Sequence, residues 1–196
     1  VTIEVIERAA WGAAAPTGPY VENVIERMTV HHTAVLLDSN ANAPSRIRGH
    51  QRFHQADRGW PDLAYHFVID LNGNVYEGRP LTARGDTATT YDPTGHFLPV
   101  LEGDYNHQQP SDRQLGVLSD LLAWAAEAFS VEASTLAGHR DYASTSCPGD
   151  AVYGFIADGT LAAEVNDKIS AGGVSLVYLR GQEAIDRVAA IEAGGP

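Results

Sequence analysis

The segment "LAYHFVIDLNGNVYEGR", residues 63–79, constrains this chain more tightly than any other stretch, because it reads as a β-hairpin. A β-rich run from Tyr65 to Ile69 meets Asn72-Gly73, and a second run follows at Val75-Tyr76. Asn-Gly is the strongest short turn signal, since both central positions of the favoured two-residue turn need positive φ. A second strand is expected in "MTVHHTA", residues 28–34, with Met28, Val30 and His32 on one face and Thr29, His31 and Thr33 on the other. "HFLPVLEG" reads as another, which Pro99 should confine to an edge or a bulge.

Helical periods stand between these strands. Ser111 is a good N-cap for a helix with Leu115, Leu118, Leu122, Ala125 and Phe129 along one stripe. Pro44 can open an earlier helix, with Ile47, His50 and Phe53 or His54 at helical spacing and a stop at Gly59. A third pattern runs through Val152, Phe155 and Ile156, breaks at Gly159, resumes at Leu161, Val165 and Ile169, and ends at Gly172-Gly173. From Val174 a strand-like run leads into a short helix on Ile185, Val188 and Ile191. Strands and helices intermixed around one core define an α/β (α+β mixed) fold. The residues between Arg79 and Gly95 are rich in Thr, Gly and Asp and are expected to form a loop.

Composition removes several classes of function. With 196 residues, 44% of them hydrophobic, the chain can bury one sizeable core. A formal charge of −12 argues against a nucleic-acid binder, whose affinity rests on clustered Lys and Arg. It gives no general attraction to anionic membranes either, and no apolar run has the length of a membrane span. The N-terminus "VTIEVIERAAWG" lacks the basic start and apolar block of a signal peptide.

The lone cysteine, Cys147, cannot form an internal disulfide. It lies in a polar loop, "GHRDYASTSCPGD", eight positions after His139. Three readings are open: a buried apolar residue, a nucleophile with His139 as its base, or a metal ligand. For the metal reading "VHHTA" supplies either His31 or His32, because neighbours on a strand face opposite ways. A His₂Cys set suits zinc and leaves one tetrahedral position open, the pattern of a catalytic rather than a structural site.

Four segments, "IERAAWGAAAP", "TVHHTAV", "FHQADRGWPDLAYHFVIDLNGNVYEGR" and "GHRDYASTSCPGD", together resemble the type 2 N-acetylmuramoyl-L-alanine amidases of the peptidoglycan-recognition-protein and phage-lysozyme-amidase superfamily. The resemblance spans roughly residues 6–150. It implies a central mostly β-sheet of about five or six strands flanked by helices, with a zinc site in a groove on one edge. It assigns the zinc ligands to His31, His139 and Cys147, and active-site roles to Tyr65 and Thr145, whose hydroxyls would stabilise an oxyanion. No general base is assigned. The implied reaction is zinc-assisted hydrolysis of the amide between the lactyl group of N-acetylmuramic acid and L-alanine. Peptidoglycan or a muropeptide is then the partner, with no nucleic acid and no membrane insertion. The expected location is secreted, cell-wall associated, or that of a phage lysin.

Binding without cleavage is the competing expectation, although family members of that kind usually lack the cysteine; a metal-free cysteine hydrolase ranks third. His50 and His54 are expected to be structural or on the surface, His66 to lie on the strand face opposite Tyr65, His32 to orient a ligand or substrate, and Glu77 and Arg79 to anchor a loop. The chain departs from its relatives at "GDTA", Gly85 to Ala88, where many carry histidine in a G-x-H-A segment. It departs again at Pro80-Leu81, the position of a pair that helps distinguish stem-peptide types. Residues 1–172 are expected to form the amidase domain and 173–196 a strand-helix appendage.

Overall fold

A computed structural model describes residues 1–195; Pro196, the last residue of the expected appendage, lies outside them. The strands are β1 (Thr2–Ile6), β2 (Arg27–His32), β3 (Phe67–Ile69), β4 (Val75–Glu77), β5 (His96–Phe97), β6 (Pro99–Leu101), β7 (Ala137–Gly138) and β8 (Ser175–Leu179). The helices are α1 (Ala43–Ala56), α2 (Asp112–Phe129), α3 (Asp150–Ala157), α4 (Thr160–Ser170) and α5 (Gly181–Glu192). In one sheet β5 and β6 follow each other along β2, β6 is followed across the sheet by β3, β4, β1 and β8, and β7 also pairs β2. The β3–β4 pair is antiparallel, whereas β2 runs parallel to β5, β6 and β7, and β1 to β4 and β8.

The side-chain alternation of the strands divides the core in two. Met28, Val30, Phe67 and Ile69 pack with Leu118, Leu121 and Leu122 of α2. Val68, Val100 and Tyr76 face the other way and pack with Ile47 of α1 and Val188 and Ile191 of α5. The sheet is thus covered on both faces, as a mostly parallel sheet requires. Helix α2 begins as expected, with Ser111 Oγ accepting from the Gln114 N–H at 3.0 Å. Gly159, at φ +81°, separates α3 from α4.

Several expectations need correction. The hairpin turn is not the two-residue form. Asp70 N–H donates to Asn74 O at 3.1 Å, Gly73 N–H donates to Asp70 O at 3.0 Å, and Gly73 has φ +79°. That is a three-residue loop whose last residue takes the left-handed conformation. The Asp70 carboxylate selects it by accepting from the Asn72 and Asn74 N–H groups at 3.0 and 2.9 Å. Tyr65 and His66 precede β3 rather than lying in it.

Pro99 lies neither at an edge nor at a bulge. It is paired with Phe67 of β3, in a strand bordered on its other side by β2. The register onto β2 is unbroken from His96 to Leu101, so β5 and β6 are one strand interrupted where proline has no N–H. On α5, Ala184 joins Val188 and Ile191 in the core while Ile185 is exposed. Strand β1 is an addition to the expected strands; its Ile3 and Val5 are buried and alternate with the exposed Thr2 and Glu4. β8 pairs β1 over five residues, so the segment from Val174 extends the sheet, and α5 covers it.

His66 is fully buried and bonded at both nitrogens: Nε2 donates to Ala83 O at 2.9 Å and Nδ1 accepts from Leu98 N–H at 3.0 Å. Burial lowers its pKa to about 4. Between pH 6.5 and 4 the unfolded chain binds the proton and the folded chain does not, so stability falls as pH is lowered through that window. His66 alone should contribute about 3 kcal/mol to this loss. Urea unfolding of wild type and His66→Gln at pH 7 and 4 should show the variant's stability falling less; equal losses would remove His66 from the effect.

Candidate metal centre

His31 and His32 are the last two residues of β2. Because Met28 and Val30 enter the α2-side core, the strand period turns His31 to the α1 face. His32 faces the other side, where its Nδ1 accepts from the Tyr105 N–H at 3.2 Å. β7 pairs Gly138 with Val30 and so delivers His139 beside His31, their ring centroids 4.6 Å apart.

The loop after His139 folds back on itself. Arg140 N–H donates to Cys147 O at 3.0 Å, and its guanidinium holds Ser146 O and, at 2.7 Å, Asp150 Oδ1. Cys147 thereby returns to the end of β2, with Sγ 3.4 Å from the His32 N–H it accepts and 3.6 Å from His31 Nδ1. One donor atom from each of His31, His139 and Cys147 lies within 4.8 Å of the others, and all three residues are buried.

Burial dominates the electrostatics. It holds His31 well below the usual imidazole range, with the neighbouring His139 adding to the effect, and lowers His139 to about 4. It pushes the Cys147 thiol up to about 12. Two neutral imidazoles are in their ligating form. The His32 N–H bond and the charge of Arg140 act against the thiol's upward shift without overcoming it; a metal cation bound beside the sulfur would favour the thiolate. Two nitrogens and a sulfur at this separation, without the oxygen donors that calcium or magnesium would require, fit zinc.

The donors open onto a groove of about 340 Å³. Phe53 and His54 of α1 line it, together with Arg58, Trp60, Tyr65, residues 86–89 and residues 145–147. Tyr65 is half-buried, its ring centroid 5.3 Å from that of His31. Its backbone is fixed from the hairpin, where Arg79 N–H donates to Tyr65 O at 2.8 Å. A Cβ on Gly78 would stand 2.3 Å from that same oxygen, so only glycine permits the approach. Burial raises the Tyr65 phenol, and the nearby Cys147 adds to this; the hydroxyl therefore keeps its proton at neutral pH. Thr145 Oγ1 accepts from the Cys147 N–H at 3.2 Å, which leaves its own proton to donate into the groove.

Other residues fall where sequence gave less guidance. His54 lines the groove, with its Nδ1 accepting from the Ala64 N–H at 3.2 Å. Phe53, its neighbour, is exposed on the groove wall. Arg79 is buried, donates to the carbonyls of Leu63 and Asp62, and pairs with Asp86 at 2.7 Å. Leu81 packs against the α2-side core, and neither it nor Pro80 lines the groove. Thr87, Thr89 and Tyr91 reach the two histidines from the Arg79–Gly95 loop. The only signal for them was the density of hydroxyls in "DTATTY".

A three-layer α/β fold with a buried His₂Cys cluster at a groove defines a domain with a candidate metal site. The family model described as N-acetylmuramoyl-L-alanine amidase matches residues 21–150, more than half of the chain, and the chain belongs to that family. It is 32% identical over 156 residues to peptidoglycan recognition protein 1 of Rattus norvegicus, covering 78% of this chain and 85% of that one. Among solved structures it resembles Drosophila peptidoglycan recognition protein SD, with a TM-score of 0.72, 28% identity, and coverage of 79% of this chain and 93% of that one. Peptidoglycan recognition protein-LE in complex with tracheal cytotoxin, a monomeric diaminopimelic acid-type peptidoglycan, matches with a TM-score of 0.71 at 28% identity over 79% of this chain and 92% of that one. No helix among the described residues is long and apolar enough to cross a membrane.

Proposed function

We propose that this chain is a zinc-dependent amidase that hydrolyses the bond between the lactyl group of N-acetylmuramic acid and L-alanine in bacterial peptidoglycan. The observation that carries the reading is the complete donor set, His31, His139 and Cys147, brought within 4.8 Å at a groove. Zinc, when bound there, would act as the Lewis acid toward the amide carbonyl and the attacking water.

The chain's own residues do the rest. The two neutral imidazoles and the Cys147 sulfur hold the metal. Tyr65, still protonated, donates to the oxyanion that develops on the amide carbonyl, and Thr145 adds a second donor. The groove walls at Phe53, Trp60 and Asp86–Ala88 orient the glycan and stem peptide. Such an enzyme acts at the cell wall, whether released from a cell or carried by a phage.

One observation favours a second reading, recognition without cleavage: the similar peptidoglycan recognition protein-LE is known in complex with tracheal cytotoxin. Zinc content per chain, measured beside the release of stem peptide from purified peptidoglycan with and without chelator, separates the two. About one zinc per chain and chelator-sensitive release of peptides with a free L-alanine amine are expected. Zinc without cleavage would establish the binding protein, and cleavage indifferent to chelator but abolished by thiol alkylation would establish a cysteine hydrolase.

A further inference from the structure

Residues 86–92 contribute no donor to the cluster, yet their hydroxyls reach both imidazoles. Thr89 Oγ1 lies 2.7 Å from His139 Nε2, and Tyr91 Oη lies 3.3 Å from His31 Nε2. Each ring is therefore engaged through Nε2, and for His31 it is Nδ1 that approaches the Cys147 sulfur, at 3.6 Å. The hydroxyls also form a chain. Thr89 Oγ1 is 2.8 Å from Thr87 Oγ1, and Thr87 Oγ1 accepts from the Thr89 N–H at 3.1 Å. When Thr89 gives its proton to Thr87, it accepts from His139 Nε2–H, and Nδ1 keeps its lone pair.

Aromatic packing holds the same loop in place. The Tyr91 ring meets His139 edge-on at 5.0 Å and stacks on Tyr142 at 5.6 Å. Arg79, buried, pins Asp86 at the start of the segment. Thr87 and Thr89 both line the groove.

We propose that Thr89 and Tyr91 are positioning residues that hold His139 and His31 through Nε2 with Nδ1 free to ligate, and so set the affinity of this chain for its metal. Thr87 lengthens the chain of hydroxyls along the groove wall. An imidazole ligand whose other nitrogen is held by a fixed partner keeps one tautomer and one orientation, and loss of such a partner typically weakens metal binding by about 10–100-fold. The inference rests on the metal reading above.

The test is the zinc dissociation constant, by competition with a chromogenic chelator, for wild type, Thr89→Val, Thr89→Ser, Tyr91→Phe and the exposed control Thr90→Val. Thr89→Val and Tyr91→Phe should bind zinc about 10–100-fold more weakly, while Thr89→Ser and Thr90→Val stay close to wild type. Melting temperatures in chelator should agree across the set. The absorption bands of the cobalt(II)-substituted protein should shift in the two weakened variants and not in Thr89→Ser. Tyr91→Phe keeps the stacked ring, so it reports on the hydroxyl even if Thr89→Val folds poorly. Wild-type affinity in both variants, or weakening matched by a lower melting temperature and not rescued by Thr89→Ser, would overturn the proposal. Wild type that binds no zinc at all would overturn the metal reading itself, an outcome visible before any variant is compared.

Discussion

Cys147→Ser is expected to lose zinc and activity together while the fold persists. Serine keeps the size and the polarity of the position but replaces a sulfur that zinc binds as thiolate with a hydroxyl that stays protonated. Removing a direct ligand should cost more than the roughly 10–100-fold that attaches to an outer hydrogen-bond partner. Amide hydrolysis that depends on the metal should then fall below detection. The packing around Cys147 predicts little change in the fold, since the sulfur's polar contacts are long ones, to the His32 N–H at 3.4 Å, His31 Nδ1 at 3.6 Å and His32 O at 3.9 Å. Arg140 and Asp150 continue to tie the loop through main-chain and carboxylate contacts. Metal analysis and unfolding in chelator, run on the same preparation, read both parts. Unimpaired zinc binding by the variant would contradict Cys147 as a ligand.

Tyr65→Phe should keep zinc and lose rate. The phenol is half-buried in the groove, and none of the interactions that shift its pKa is a hydrogen bond, so its proton is available to a developing oxyanion. Removing one oxyanion donor in a preorganised site typically costs about 10²–10³ in kcat. The ring itself remains, so its packing beside His31 and His54 is preserved and substrate binding should change little. A steady-state comparison should therefore show the loss in kcat rather than in KM. A variant as fast as wild type would remove Tyr65 from the mechanism, and one that also lost zinc would make it a support of the metal site instead.

What could be read from the chain alone was what depends on neighbours in sequence. Ser111 caps α2, Gly159 breaks α3 from α4, and Pro44 opens α1, because each acts through its own φ or through a hydrogen bond within one turn. The alternation of "MTVHHTA" likewise told which face each histidine takes, since that follows from the strand period. The types of the three donors were legible for the same reason: thiolate and imidazole chemistry belongs to the residues themselves.

Tertiary structure decided everything that joins distant segments. His31 and His139 are 108 positions apart, and only the pairing of β7 with β2 makes them neighbours. Pro99 was expected at an edge or a bulge from its missing N–H, but its place between β2 and β3 comes from the order in which the sheet assembles. The Asp70 side chain, not the Asn-Gly pair by itself, chose the hairpin loop. The loop bearing Thr87, Thr89 and Tyr91 carries no periodicity to read, because its conformation is set by what it packs against: His139, Tyr142 and the buried Arg79. Sequence names the groups and their local geometry; which of them meet depends on packing and long-range pairing, whose free energy no single segment carries.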